Sequence, residues 1–198
     1  MHVYLRTERL VLRRFTADDL DAVEALDADP EVMRYINGGQ PTPREELRDD
    51  HLPSWLAYYE RGDAWGFWTA TDRVSGAFLG WFHLRPGSQD PPDEPELGYR
   101  LLRKAWGAGL ATEGSLGLID KAFAELGARR VYATTMAVNT GSRRVMEKAG
   151  MRFIRLYHGE WPVRIPGDVH GDVEYAITRA EWDADREAAA GPSTGTGR

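Results

Sequence analysis

Glu96-Leu97-Gly98-Tyr99-Arg100-Leu101-Leu102, followed shortly by Trp106-Gly107-Ala108-Gly109-Leu110-Ala111-Thr112-Glu113, is the stretch whose reading decides the fold. It predicts a strand that enters a glycine-relaxed turn and then opens a helix. Gly107 and Gly109 remove Cβ atoms where the backbone must turn tightly and where another group can approach closely. The N–H groups of residues 107 to 112 would then point one way, at the positive end of the helix dipole. Such a nest suits a phosphate or pyrophosphate. Two glycines before a helix also fit an ordinary tight strand-to-helix connection. Two better-known phosphate motifs are excluded. The position three beyond Gly109 is Thr112, not the glycine of a dinucleotide fingerprint, and no G-K-[ST] follows any glycine-rich loop.

Working outward, Arg9 to Arg13 alternates as a first strand. Thr16 with Asp19 resembles a capping box that uses Asp, and Leu20, Val23 and Leu26 recur at helical spacing. Asp29-Pro30 ends that helix and a shorter one holds Val32, Tyr35 and Ile36. Gly38-Gly39 marks a loop. Thr42-Pro43-Arg44-Glu45 reads as cap, proline at N1 and glutamate at N3, opening a helix that bends near Pro53 and ends before Gly62. Strands are expected over Trp65 to Thr71 and Ala77 to Leu84, then a proline-rich loop from Pro86 to Pro95. After the turn, Leu116, Ile119, Phe123 and Leu126 suggest the buried stripe of a helix that Gly127 terminates. A strand over Val131 to Val138, a helix over Thr140 to Ala149, and closing strands over Met151 to Tyr157 and Val173 to Thr178 complete the order. The result is an α/β sandwich around a mixed sheet. Residues 1–186 are read as one domain, and 187–198, rich in alanine and glycine without periodicity, as a disordered tail.

At 198 residues the chain suits one well-buried core, and 42% hydrophobic with 28% charged residues is ordinary for a soluble globular protein. With no cysteine, disulfides and thiolate chemistry are excluded. The five histidines form no zinc spacing, so no metal is expected. No apolar run approaches membrane-spanning length, and a cytoplasmic location is expected. A net charge of −6 argues against a general nucleic-acid binder. Positive charge gathers instead at Arg100, Arg103 and Lys104 beside the turn and at Arg143, Arg144 and Lys148, which favours an anionic ligand.

The turn resembles the acyl-coenzyme A site of the GNAT superfamily of N-acetyltransferases, whose motif is [Q/R]-x-x-G-x-[G/A]. Gly109 and Ala111 match its small positions, and Trp106 stands where Gln or Arg is usual. The variant is similar to the branch that includes ribosomal-protein N-terminal acetyltransferases. Thr7-Glu8-Arg9-Leu10-Val11-Leu12-Arg13 and Asn139-Thr140-Gly141-Ser142-Arg143-Arg144-Val145-Met146-Glu147-Lys148-Ala149-Gly150 follow the same family order. The resemblance implies a mixed, mostly antiparallel sheet flanked by helices, with a splayed-strand acyl-CoA cleft. It implies acetyl-CoA as donor, with Tyr99, Leu101, Trp106, Gly107, Ala108, Gly109, Leu110, Ala111, Thr112 and Asn139 as its contacts. Ala108 lies where this branch often carries Lys or Arg.

Transfer from a thioester to an amine needs a deprotonated amine and a thiolate able to leave. A lysine-like amine costs roughly 4–5 kcal/mol to deprotonate at neutral pH, an α-amine roughly 1 kcal/mol. Glu96 is the candidate base: alternation sets it on the face opposite Leu97 and Tyr99, looking into the cleft if that other face is core. A solvated strand-end glutamate is the alternative. Ser142 is the candidate donor to the thiolate, or a helix cap. Many relatives carry a tyrosine four positions later, where this chain has Met146. Asn139 can cap its helix as well as bond pantetheine. Backbone N–H groups around Tyr99 to Leu101 are the candidate oxyanion donors. Among Trp55, Tyr58, Tyr59, Tyr157, His158 and Trp161, core packing is the commoner role. His158 and Glu160 could orient a substrate, and His158 is an alternative base. The expected partner is an amine acceptor, a small molecule or protein N-terminus, with a homodimer left open. A non-catalytic acyl-CoA-binding protein, or a transferase with another acyl donor, is the rival reading.

Overall fold

The computed structural model describes residues 2–159 and 164–190. Eight strands form one sheet: β1 (Val3–Arg6), β2 (Leu10–Arg14), β3 (Gly66–Asp72), β4 (Phe78–Arg85), β5 (Glu96–Leu101), β6 (Arg130–Met136), β7 (Arg152–Tyr157) and β8 (Asp172–Thr178). Their order is β1-β2-β3-β4-β5-β6-β8-β7. Every neighbouring pair is antiparallel except β5 and β6, which run parallel and are in register only at Glu96↔Tyr132. This is the mixed, mostly antiparallel sheet expected, with the two strands parting after one pair.

Period-2 alternation divides the side chains between two cores. Trp68, Phe82, Leu84, Leu97 and Leu101 pack with Leu118, Ile119 and Phe123 of α5 (Leu110–Ala124). On the opposite face Phe67 and Trp81 pack with Val23 and Leu26 of α1 (Leu20–Asp27), Val32 of α2 (Pro30–Asn37) and Trp55 of α4 (Leu52–Ala57). Asp19 accepts the Thr16 N–H at 2.8 Å, the Asp version of the capping box. Asp29 caps α2 by accepting the Glu31 N–H at 3.0 Å, with Pro30 in the first turn.

Several expectations are corrected. β1 is an unanticipated edge strand that pairs with β2. The stretch after Pro43 is α3 (Arg44–Glu46), a π-turn (Leu47–His51) and then α4, and Thr42 does not cap it. The Thr42 hydroxyl instead donates to buried Asp27 at 2.8 Å. Ile119, Phe123 and Leu126 of the expected α5 stripe pack on the core, whereas Leu116 is 42% exposed. Gly114 and Ser115 face the sheet, and a Cβ at Gly114 would overlap the Phe82 ring. The missing Cβ at Gly114 lets the start of the helix approach the strands, and Leu118, Ile119 and Phe123 continue the buried face. Helix α7 (Arg179–Ala190) continues through residues assigned to the tail. Alanine is the strongest helix former, with or without periodicity. Residues 191–198 lie outside the described residues.

Candidate active site

The turn after β5 bends where the sequence permits it. Gly107 and Gly109 have φ of +73° and +79°, in the left-handed region that side chains disfavour. No N–H from Gly107 to Thr112 donates to a protein acceptor among the described residues, whereas the Glu113 N–H bonds the Gly109 carbonyl at 3.0 Å. Six adjacent donors are therefore left at the N-terminus of a 15-residue helix. This donor set, with nothing within 4 Å of a Cβ at Gly107, fits a pyrophosphate. The Trp106 indole N–H donates to the Leu101 carbonyl at 2.8 Å, fixing the turn against β5.

The Leu102 N–H donates to the Leu79 carbonyl at 2.9 Å, on the β4 side. Alternation then turns the backbone groups of Tyr99 and Leu101 away from β4, toward the gap where β6 departs. Across that gap, α6 (Thr140–Lys148) begins after Asn139, whose side chain accepts the Ser142 N–H at 3.2 Å. Asn139 is thus the cap, and the Ser142 hydroxyl is free for another partner. It stands 2.9 Å from the Tyr99 hydroxyl. Burial, partly offset by this bond, pushes Tyr99 up to about 12. Met146 is buried in the core.

Glu96 lies on the opposite face of β5, against a polar cavity of about 370 Å3 also lined by Asp90, Tyr132, Thr134 and Tyr157. The Thr134 hydroxyl donates to Glu96 Oε1 at 3.1 Å, and Arg85 Nη2 lies 3.8 Å from Oε2. Burial raises the Glu96 pKa; Arg85 and Thr134 oppose the rise and Asp90 adds to it. Beside it on β4, buried His83 covers Gly98, where a Cβ would overlap the imidazole. Burial, reinforced by Arg85 and Arg100, pushes His83 down to about 3, so the ring is neutral at physiological pH.

Residues 9–152 match the family described as Acetyltransferase (GNAT) domain. The chain belongs to the GNAT acetyltransferase family. It is 34% identical over 184 residues to the FsC-acetyl coenzyme A-N(2)-transacetylase of Aspergillus fumigatus, across 90% of this chain and 77% of that protein. A solved GNAT-family acetyltransferase from Bacillus anthracis is 25% identical with a TM-score of 0.70, over 91% of this chain and 99% of that one. RimL, a ribosomal-protein acetyltransferase solved with coenzyme A, shares the fold at 18% identity and a TM-score of 0.74, over 89% and 98% of the two chains.

In this acetyltransferase the basic cluster expected at the turn is partly committed elsewhere. Arg100 points to the Glu96 face and pairs with Asp27 at 2.6 Å, and Arg103 pairs with Asp29 at 3.1 Å. The reason is alternation: residue 100 shares its face with residues 96 and 98. The cation at the turn is instead Arg9, which donates to the Ala108 carbonyl at 2.8 Å and pairs with Glu113 at 2.6 Å. Ala108 offers no side-chain cation there, and Arg9 reaches the same loop from the start of β2. Sequence reading placed Arg9 in the first strand and in a family segment and missed this contact, as it missed His83 and Thr134. The alternation of Trp81, His83 and Arg85 opposite Gly98 was the available signal for His83. Trp55 and Tyr59 are structural, Trp55 packing on Phe15 and Phe67 and the Tyr59 hydroxyl accepting the Phe15 N–H at 2.9 Å. His158 is exposed, its Nε2 3.3 Å from the Val169 carbonyl and away from the Glu96 cavity lining. Glu160 and Trp161 lie outside the described residues. Among the described residues, no group of three or more His, Cys, Asp or Glu could hold a metal, and no helix is long and apolar enough to cross a membrane.

Proposed function

We propose that the chain moves an acetyl group from acetyl-CoA directly to a primary amine within a ternary complex, with Glu96 as base and Ser142 as donor to the sulfur. The single observation that carries this reading is the parting of β5 from β6 after one register pair, with Glu96 on one face of β5 and the Tyr99–Ser142 hydroxyls on the other. Acceptor and donor can then approach one backbone from opposite sides.

The unpaired N–H groups of residues 107 to 112 would hold the pyrophosphate, and the Tyr99 and Leu101 N–H groups would face the acyl oxygen. When bound, the donor supplies an electrophilic thioester carbon and a stable thiolate leaving group. Glu96 accepts the proton that the amine must lose. Its raised pKa brings it nearer the working pH than an ordinary carboxylate, which suits a general base. The Ser142 hydroxyl, not occupied in capping, donates to the departing sulfur. The acceptor class is an amine, as the Aspergillus relative's name, an N(2)-transacetylase, supports.

Mass-shift detection of acetylation across amines and a peptide pool, with acetyl-CoA as donor, tests the reading. At least one amine should gain an acetyl group and release coenzyme A. Failure of every amine would return the chain to an acyl-CoA-binding role.

A further inference from the structure

Glu96 can accept a proton usefully only if its carboxylate stays ionised and aimed while largely buried. Burial works against the first condition, because removing a carboxylate from water favours its neutral form. The groups that face it come from four directions. Arg85 on β4, 3.8 Å from Oε2, opposes the effect of burial by its charge but donates no hydrogen bond that would aim the carboxylate. Asp90, in the proline-rich loop, adds negative charge and is held by the Tyr132 hydroxyl and, at 2.9 Å, by the Gly87 N–H. The other ions lining the cavity are committed to one another: Arg130 pairs with Glu94 and Glu174, and Arg155 with Glu174. The remaining contact is Thr134 on β6, whose hydroxyl reaches Oε1 at 3.1 Å.

The direction of that bond is forced. An ionised carboxylate has no proton to give, so the single Thr134 hydroxyl proton must point at Glu96. Thr134 and Tyr157 both line the cavity that Glu96 faces. β5 and β6 are in register only at Glu96↔Tyr132, so Thr134 stands just beyond the point where the strands part. Its side chain spans the start of the gap that its backbone does not close.

We infer that Thr134 is the positioning residue of the proposed base, its hydroxyl on Oε1 holding the Glu96 carboxylate aimed into the cavity where β5 and β6 part. This rests on Glu96 being the base. Of the two protons an ammonium acceptor loses, one passes to Glu96 and on to solvent and the other restores the Ser142 hydroxyl, so each turnover ends with one proton released and every residue restored.

The test is the pH dependence of kcat/KM, with acetyl-CoA and the fastest acceptor from the amine panel, for wild type and three variants. Thr134→Val keeps the β-branched shape and removes the hydroxyl. Loss of that donor should move the acid limb upward by about one pH unit. Much of the high-pH rate and all of the melting shift with coenzyme A should survive. Thr134→Ser should return the limb toward its wild-type place. An unmoved limb in Thr134→Val, beside an inactive Glu96→Gln, would overturn the role of Thr134 and leave the base assignment standing. Wild-type rates in Glu96→Gln would remove both. If Thr134→Val melts at a lower temperature without shifting the limb, the hydroxyl is structural and the proposal fails.

Discussion

Toward β4, β5 is paired residue for residue from Arg85↔Glu96 to Gly80↔Leu101; toward β6 it is paired at Glu96↔Tyr132 and then left open. The first seam carries aromatic and aliphatic packing on both faces, with Phe82 and Leu97 in one core and Trp81 in the other. Along the second, backbone groups of Tyr99 and Leu101 forgo strand partners, and side chains such as Tyr99, Ser142, Glu96 and Thr134 meet instead. One strand therefore serves two ends. Its closed edge contributes to stability, and its open edge keeps donors that a ligand can use. Unpaired strand groups are tolerable where water or a bound molecule reaches them, and costly where neither does.

The sharpest way to break the open seam is chemical. Glu96→Gln should lower kcat by roughly 10²–10⁴, the usual span for a positioned base. The stabilisation by acetyl-CoA should be retained. In the wild type the rate should fall as pH drops through the raised pKa of Glu96, because only the ionised form accepts the amine proton. That acid limb should therefore sit above the ordinary carboxylate range, which a pH series of kcat/KM will locate.

Next in size is binding at the glycine turn. At about 100 times its dissociation constant a ligand adds roughly 2.7 kcal/mol. For a chain of this length the melting temperature should rise by roughly 5–11 °C with acetyl-CoA. Gly109→Glu should abolish that rise, since it puts a carboxylate against the pyrophosphate at a position whose φ is +79°. A full shift in the variant would remove the turn from the site.

The closed seam is tested at Gly98. Gly98→Ala inserts a Cβ into the imidazole of His83 and should cost about 1–3 kcal/mol by overpacking. Urea denaturation measures this, and a smaller residue at 83 should recover part of the loss. The smallest effect is expected at α6. Ser142→Ala loses its bond to Tyr99 and should lower stability by about 0.5–1.5 kcal/mol. Because Asn139 is the cap, any larger slowing of turnover at saturating acetyl-CoA is assignable to donation to sulfur. Full activity in Ser142→Ala would leave that hydroxyl with a structural role alone.

Much of the frame around the site was legible because it is local. The strand, the glycine turn and the start of α5 follow from alternation, from positive φ at glycine and from helix-start rules within about twenty residues. The Asn139 cap and the Asp29-Pro30 start were readable for the same reason. The short edge strand β1 was not, since a four-residue strand carries too little alternation to register. The face of α5 was legible at Ile119 and Phe123 but not in its first turns, where Gly114 and Ser115 rather than Leu116 are buried. The basic cluster was misread because residues 100 and 103 were counted by proximity in sequence rather than by the face they occupy.

The sequence by itself determined the α/β order, the glycine turn before α5, the absence of cysteine chemistry and the candidate positions of Glu96 and Ser142. Only the tertiary structure decided what those groups touch: Thr134 and Arg85 at Glu96, Tyr99 at Ser142, and Arg9 at Ala108 and Glu113, across 104 positions in the last pair. The difference is physical. Turns, caps and periodicity depend on dihedral angles and spacing within a few turns of chain, whereas partners across a sheet depend on register. A slip of one residue between β5 and β6 would turn Thr134 to the opposite face and leave Glu96 without its donor.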